Sequence, residues 1–401
     1  MRVGSYGQVK DARFPDDRQR GWRAPLLAFT LGAAAFGLSR LAATAPGAVE
    51  RIYATGLWPL ISRPFSRLTG LLPFSLIEVL VVAYVIWTVV AIGITVRSVT
   101  ARRRRISNAI AGSARRVALH AGLVTFAFYS LWGLNYARPS FEERQGWPEW
   151  DGADRSELIA LAEQAVSLSN DLYIEMHGEQ DAGEPTRAPS DTRELERSLD
   201  GGWLEATRLL SLQPVVGRSF GRVKRPLTSE LIARLGITGI YSPFTAEAHV
   251  LRDVPAMRLP HTMAHEKAHQ RGITGEGDAS FLGFAASALS VDPLARYSAA
   301  MYAASQLLSS LAGADPEAYA RIRGSRIPGT TRDLWDYIAW INRFPGGPVR
   351  VAMVVNDRYL RMNRVPGGVA NYGRSVRLMI EYSRRNDGHV LPHSLQPTRG
   401  Q

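Results

Sequence analysis

Residues Phe74 to Val96 form an apolar run of 23 residues whose only charge is Glu78, near its start. A helix of that length crosses the hydrocarbon of a bilayer, where the backbone must satisfy its own hydrogen bonds and an isolated segment has no alternative to a helix. Two other stretches fit the same reading. Ala24 to Ala45 is apolar except for Arg40, close enough to the far end for its long side chain to reach the interface. Val117 to Tyr136 ends in Trp132 and Tyr136, aromatics of the kind that settle at headgroup level. The expected organisation is a disordered polar leader over 1–23 and a membrane region over 24–138, with spans near 24–45, 74–96 and 117–136. Ala43-Thr44-Ala45 also fits a signal-peptide cleavage site, but the leader is long for a signal peptide and the first span is read as uncleaved. Glu78 is read as a carboxylate at headgroup depth or bonded to a neighbouring helix, and His120 as structural.

The charge agrees with a membrane. The net charge is +12, yet residues 1–139 carry +13 and residues 140–401 carry −1. The surplus cations flank apolar segments, which excludes a nucleic-acid reading. Arg97 to Arg116 holds seven arginines and no acid, so this loop is expected in the cytoplasm and everything after Arg138 outside it. Residues 46–72 carry Trp58, Pro59, Pro64, Phe65 and three arginines and read as an interfacial hairpin or a short amphipathic helix lying on the bilayer surface.

Residues 139–386 have the pattern of a mostly helical domain. Ser156 to His177 lines up Leu158, Leu161, Ala162, Ala165, Leu168 and Leu172 on one face, and Leu195 to Leu212 follows as a second helix. Ile237 to Val250 is short, punctuated by Gly and Pro and partly alternating, which predicts a small β-hairpin. Further helices are expected over 293–311, 316–323, 330–342, 349–363 and 368–384, with a frayed tail over 387–401. The expected fold class is mostly α, with three N-terminal transmembrane helices and an α-rich domain carrying a small β-hairpin or edge strand.

Within that domain lies His265-Glu266-Lys267-Ala268-His269. Residues i and i+4 stand one above the other on a helix face, so both imidazoles can reach one Zn²⁺, with Glu266 beside it as general base. With eight histidines in 401 residues, composition alone gives such a match roughly once in a hundred chains of this kind. Pro260 and Thr262 mark the helix start and Gly272 its stop. There is no cysteine, so thiolate ligands, a thiol nucleophile and disulfides are all excluded.

A catalytic zinc needs a third protein ligand. The extended pattern H-E-x-x-H-x-x-G-x-x-H matches at Gly272 but puts Gly275 at its last position, which cannot ligate. An acid at the start of the next helix is the remaining source. Asp278 is the expected ligand and Glu276 the alternative, although acids there also favour the helix N-terminus. His261, one turn before His265, is read as a satisfied structural group. Tyr241, Tyr372 and His249 are candidates for contacting substrate or an oxyanion. Pro345-Gly346-Gly347-Pro348 lacks the G-K-[ST] of a phosphate loop.

Tyr241-Ser242-Pro243-Phe244-Thr245-Ala246-Glu247-Ala248, Leu259-Pro260, His265 to Gly272 and Asp278-Ala279-Ser280-Phe281-Leu282 together resemble a bacterial membrane-protein family, domain of unknown function 3810. Leu131-Trp132-Gly133-Leu134-Asn135-Tyr136 with Arg138-Pro139, Pro73-Phe74-Ser75, and Tyr359-Leu360 with Gly368 and Tyr372-Gly373-Arg374 extend the likeness over about residues 50 to 383. The resemblance implies a zincin-like metallopeptidase site and the bacterial inner membrane. The family's usual Glu-Ala-Asn-Phe-Leu is replaced by Asp278-Ala279-Ser280-Phe281-Leu282, so Asp278 stands for the glutamate and Ser280 for the asparagine. The expectation is a membrane-anchored zinc peptidase with Glu266 as general base, and the bilayer and a peptide or protein substrate as partners. The other reading is a non-catalytic envelope protein with a structural or vestigial metal site.

Overall fold

The computed structural model describes residues 21–102, 105–343, 347–365 and 373–390. Most of the expected leader and tail, and Tyr372, lie outside the described residues. The chain divides into two units, one of residues 1–39 and 85–130 and the other of residues 40–84 and 131–401.

The first unit takes its helices from α1 (Arg23–Ala42), the later part of α3 (Leu76–Thr100) and α4 (Ile106–Leu131). Among the described residues two helices, α1 and α3, are long and apolar enough to cross a membrane. The third expected span, 117–136, differs. The helix that holds it begins at Ile106, carries Arg115 and Arg116 within it, and gives way to a 3₁₀ turn, Gly133–Ala137. Helices α1 and α4 touch through glycine. A Cβ on Gly32 would lie 2.7 Å from the Gly122 carbonyl oxygen, and one on Gly122 would lie 2.3 Å from the Ala28 carbonyl carbon. Close contact of small residues is how helices associate where no hydrophobic force separates helix from solvent. His120 packs edge-on to Trp87 at 5.1 Å, a structural role as expected.

In the second unit a π-helical segment, Val49–Leu57, runs into α2 (Trp58–Gly70). Helix α2 buries Trp58, Ser62, Ser66 and Thr69 and turns Leu60, Ile61 and Leu68 outward, the amphipathic division anticipated for this segment. The next helix, α3, starts under a cap from far along the chain: the Glu247 carboxylate accepts from the Leu76 and Ile77 amides, each at 3.0 Å. A carboxylate there satisfies donors that lack a helical partner and faces the positive end of the dipole. Glu78, in the first turn, accepts from the amides of Leu227 at 3.0 Å and Thr228 at 2.6 Å.

Helices α5 (Arg155–His177) and α6 (Arg193–Leu209) follow, then strands β1 (Gly239–Ser242) and β2 (Glu247–Val250). Helix α5 opens with a capping box between Asp154 and Glu157, ends at Gly178 with φ +76°, and buries the apolar face read from its sequence. The two strands pair antiparallel with Tyr241 opposite Ala248. On its other side β2 exchanges bonds with Lys224, whereas the outer edge of β1 meets no strand among the described residues. Next come α7 (Leu259–Gln270), α8 (Glu276–Ala288), α9 (Pro293–Ala314), α10 (Pro316–Gly324), α11 (Pro328–Ile341), α12 (Gly347–Met362) and α13 (Arg374–Ser383). The core lies where α5, α6, α9 and α13 surround α7 and α8, nearly all of whose residues are buried.

Candidate metal centre

Helix α7 carries the two histidines and α8 brings the acid to them. Pro260 stands in the first turn of α7, and Gly272 closes it with φ +81°, a conformation open to glycine at little cost. The turn is short, so α8 folds back on α7. The two backbones meet at Gly283, where a Cβ would lie 2.9 Å from the His265 amide nitrogen. Glu276, first residue of α8, thereby faces His265 and His269.

Oε2 of Glu276 lies 3.2 Å from Nε2 of His265 and 3.6 Å from Nε2 of His269. The imidazoles stand nearly perpendicular, with centroids 4.9 Å apart. One ligand atom from each of the three residues falls within 4.8 Å of the others. Two imidazole nitrogens and a carboxylate oxygen are a donor set that suits Zn²⁺. The far side of each ring is also provided for. His269 Nδ1 is 2.7 Å from the Ile273 carbonyl oxygen, and His265 Nδ1 is 3.1 Å from the Ser280 hydroxyl. Nδ1–H donated to those oxygens would free both Nε2 atoms to ligate a cation on the side of Glu276, the outer support typical of ligating histidines.

Charge within the cluster is set by burial and by these contacts. Burial disfavours the charged form of His269, but hydrogen bonding to Glu276 outweighs it and holds the imidazole up at about 9. Burial likewise acts against ionised Glu276, yet the bonds to both histidines keep it well below the usual carboxylate range. His265 is held low, chiefly by burial. A negative carboxylate thus faces a single protonated ring, an arrangement that a cation could replace.

Glu266 lies on the same helix and is pushed up to about 8 by burial. Its Oε2 is buried without a hydrogen-bond partner. Strand β1 presses directly on this side chain, for a Cβ on Gly239 would sit 2.7 Å from both Cγ and Oε1 of Glu266. The carboxylate is therefore wedged against β1.

Asp278, the expected third ligand, is turned elsewhere. Its Oδ1 accepts from Arg374 Nε at 2.8 Å, and Arg144 stands 4.0 Å away. Two residues along a helix turn the side chain by about 200°, so Glu276 and Asp278 cannot face the same point. The alternative, Glu276, is the acid brought to the histidines. His249 is also placed away from the cluster: it is buried, with Nε2 2.8 Å from the Ser75 hydroxyl and Nδ1 3.1 Å from the Ile240 carbonyl oxygen. His261 is structural, stacked on Tyr302 at 3.7 Å with Nε2 on the Ser280 carbonyl oxygen. Tyr241 does approach, its ring centroid 6.4 Å from that of His269. Tyr372 is outside the described residues.

Several neighbours were not anticipated. Trp132 packs 4.9 Å from Tyr241 and 6.3 Å from His269, and the hydroxyls of Tyr136 and Tyr359 meet at 2.9 Å. Ser280 was findable, since it is four residues after Glu276 and so on the same helix face. Behind the centre, buried Lys267 and Arg271 share Asp200 at 3.1 and 3.0 Å. Arg138 pairs bidentately with Glu50 and donates to the Gly272 carbonyl oxygen, tying the end of α7 to the π-helical segment.

No curated protein and no solved structure matches the chain. The profile of a family described as "Protein of unknown function (DUF3810)" matches residues 53–380, a span that includes His265, Glu266, His269 and Glu276. With the match covering well over half of its 401 residues, the chain belongs to the DUF3810 family.

Proposed function

We propose that this protein is a membrane-anchored, zinc-dependent hydrolase of peptide bonds. The observation that carries the reading is the convergence of His265, His269 and Glu276, with the orphaned carboxylate of Glu266 held beside them against β1. The three ligand residues would hold the zinc, which when bound would act as a Lewis acid and make water nucleophilic near neutral pH. Glu266 takes the proton from the attacking water and passes it to the leaving amine. The open edge of β1 accepts an extended peptide by backbone pairing, which lays a scissile carbonyl alongside Glu266.

A closed structural site is the less supported reading. It needs a fourth protein ligand; both nitrogens of His249 are bonded to Ser75 and Ile240, and His261 holds the Ser280 carbonyl oxygen through Nε2, which leaves only its Nδ1 unpaired. For the membrane, α1 and α3 span it and α4 serves as a third, less apolar span. The arginine-rich loop then lies in the cytoplasm, and the hydrolase domain outside the bacterial inner membrane.

The test is cleavage of a peptide library by detergent-purified protein supplied with zinc. Glu266→Gln should keep the metal and lose about 10²- to 10⁴-fold in turnover. Undiminished cleavage by that variant would overturn the mechanism.

A further inference from the structure

In the second unit, contacts from α7, from β2 and from the 227–228 turn converge on α2 and on the beginning of the apolar helix α3. Gln270, the residue after ligand His269, donates from Nε2 to the Ser66 hydroxyl of α2 at 3.0 Å. Helix α2 leads directly into α3 and leaves Leu60, Ile61 and Leu68 exposed. Glu247 of β2 caps the α3 N-terminus, and β2 pairs with β1, the strand that presses on Glu266. Glu78 in the first turn of α3 holds the turn at Leu227 and Thr228.

What surrounds these contacts is apolar and unburied. Leu227 is 77% and Leu231 64% exposed, and Ile240 on β1 is 45% exposed. Across from them Val349 of α12 packs on Gly236, where an added Cβ would meet it at 3.1 Å, and the same helix exposes Val351, Val354 and Val355. Packing among the described residues does not account for these side chains. Their position does. The hydrocarbon-compatible run of α3 starts at Leu76, so groups bonded to its first turn lie within about one helix diameter, ~10 Å, of the membrane–water boundary. Apolar surface left in water there is unfavourable, and lipid contact removes that cost.

We propose that this apolar collar seats in the outer surface of the bilayer, so that the open edge of β1 receives the juxtamembrane segments of membrane-inserted polypeptides. The substrate class rests on the hydrolase reading above; the seating of the collar does not. An extended segment leaving the membrane beside Leu231 and Ile240 meets the β1 edge without being drawn away from the lipid. Soluble peptides reach the same edge only by diffusion.

The absence of cysteine allows one reporter at a time. Full-length Leu231→Cys carries an environment-sensitive fluorophore in phosphatidylcholine vesicles, beside Glu184→Cys, whose parent side chain is 82% exposed in a polar loop. Unchanged thermal melting relative to wild type certifies the fold of each. The collar predicts that nitroxides placed high on the lipid chains quench the label at 231 far more than at 184, while aqueous iodide does the opposite. Equal lipid quenching, or preferential iodide quenching at 231, overturns it. A second arm compares cleavage of a single-span peptide with its juxtamembrane flank against that flank free in solution. A preference of about tenfold or more for the inserted form is expected from its higher local concentration, and equal rates contradict the substrate class. If the label at 231 is in lipid and nothing is cut even with zinc, the hydrolase reading fails and the seating stands.

Discussion

Oε2 of Glu276 stands 3.2 Å from Nε2 of His265, although the two residues belong to different helices. What permits it is the tight stop at Gly272 and the backbone contact at Gly283, which lay the first turn of α8 over the histidine face of α7. Asp278, on the same first turn, points instead to Arg374. The division of labour between the two acids follows: one faces His265 and His269 and the other closes an ion pair.

Asp278→Asn tests that division from the structural side. It removes a largely buried charge partner of Arg374, which keeps Glu142. A loss of about 1–3 kcal/mol in denaturant stability is expected, below the full cost of stranding a buried charge because one partner remains. Zinc binding should persist, and a metal titration beside the melt reads both.

Gly239→Ala acts on Glu266 without touching a ligand. The new methyl would meet the Glu266 side chain at 2.7 Å. Overpacking costs about 1–3 kcal/mol, and the displaced carboxylate should lower turnover while zinc stoichiometry stays at the wild-type value. Kinetics and metal content on the same preparation decide it.

Ser280→Ala removes the hydroxyl beside His265 Nδ1. Metal affinity should fall about 10- to 100-fold, as for other supports of ligating histidines, with stability little changed. Competition with a chelator measures the affinity directly.

Much of this centre was legible before the structure because the i, i+4 spacing of His265 and His269 needs nothing beyond their own helix. The hairpin upstream was legible from its Gly and Pro punctuation for the same local reason. The choice between Glu276 and Asp278 was not, since it depends on the rotation of α8 about its axis. That rotation is fixed by packing at Gly283 and by Arg374, 96 residues beyond Asp278. The family resemblance aligned an acid at 278, and alignment carries no information on which way a side chain turns. His249 was misplaced similarly, because its partner Ser75 is 174 residues away. The third expected span, 117–136, lies in a helix that begins at Ile106, inside the stretch read as a loop, and it overruns that helix's end at Leu131.

Asp200 gives the fold an acid limit. Burial raises its carboxyl, but Lys267 and Arg271 outweigh that and leave it below the ordinary value. A group whose folded pKa is depressed stabilises fully above its unfolded pKa, about 3.9, and the benefit disappears as pH falls through the folded value. Stability should therefore drop as pH is taken below about 4. Asp200→Asn should flatten that drop and cost about 3–5 kcal/mol at neutral pH, by leaving two buried cations without a counter-charge. Denaturant midpoints between neutral and acid pH test both statements.

Zinc content is the most direct measure of the central claim. Full-length protein purified in detergent, supplied with zinc and freed of excess, should carry close to one zinc per chain by mass spectrometry, and Glu276→Ala should carry nearly none. Wild-type zinc content in Glu276→Ala, or no zinc in the wild type after supply, would contradict the account.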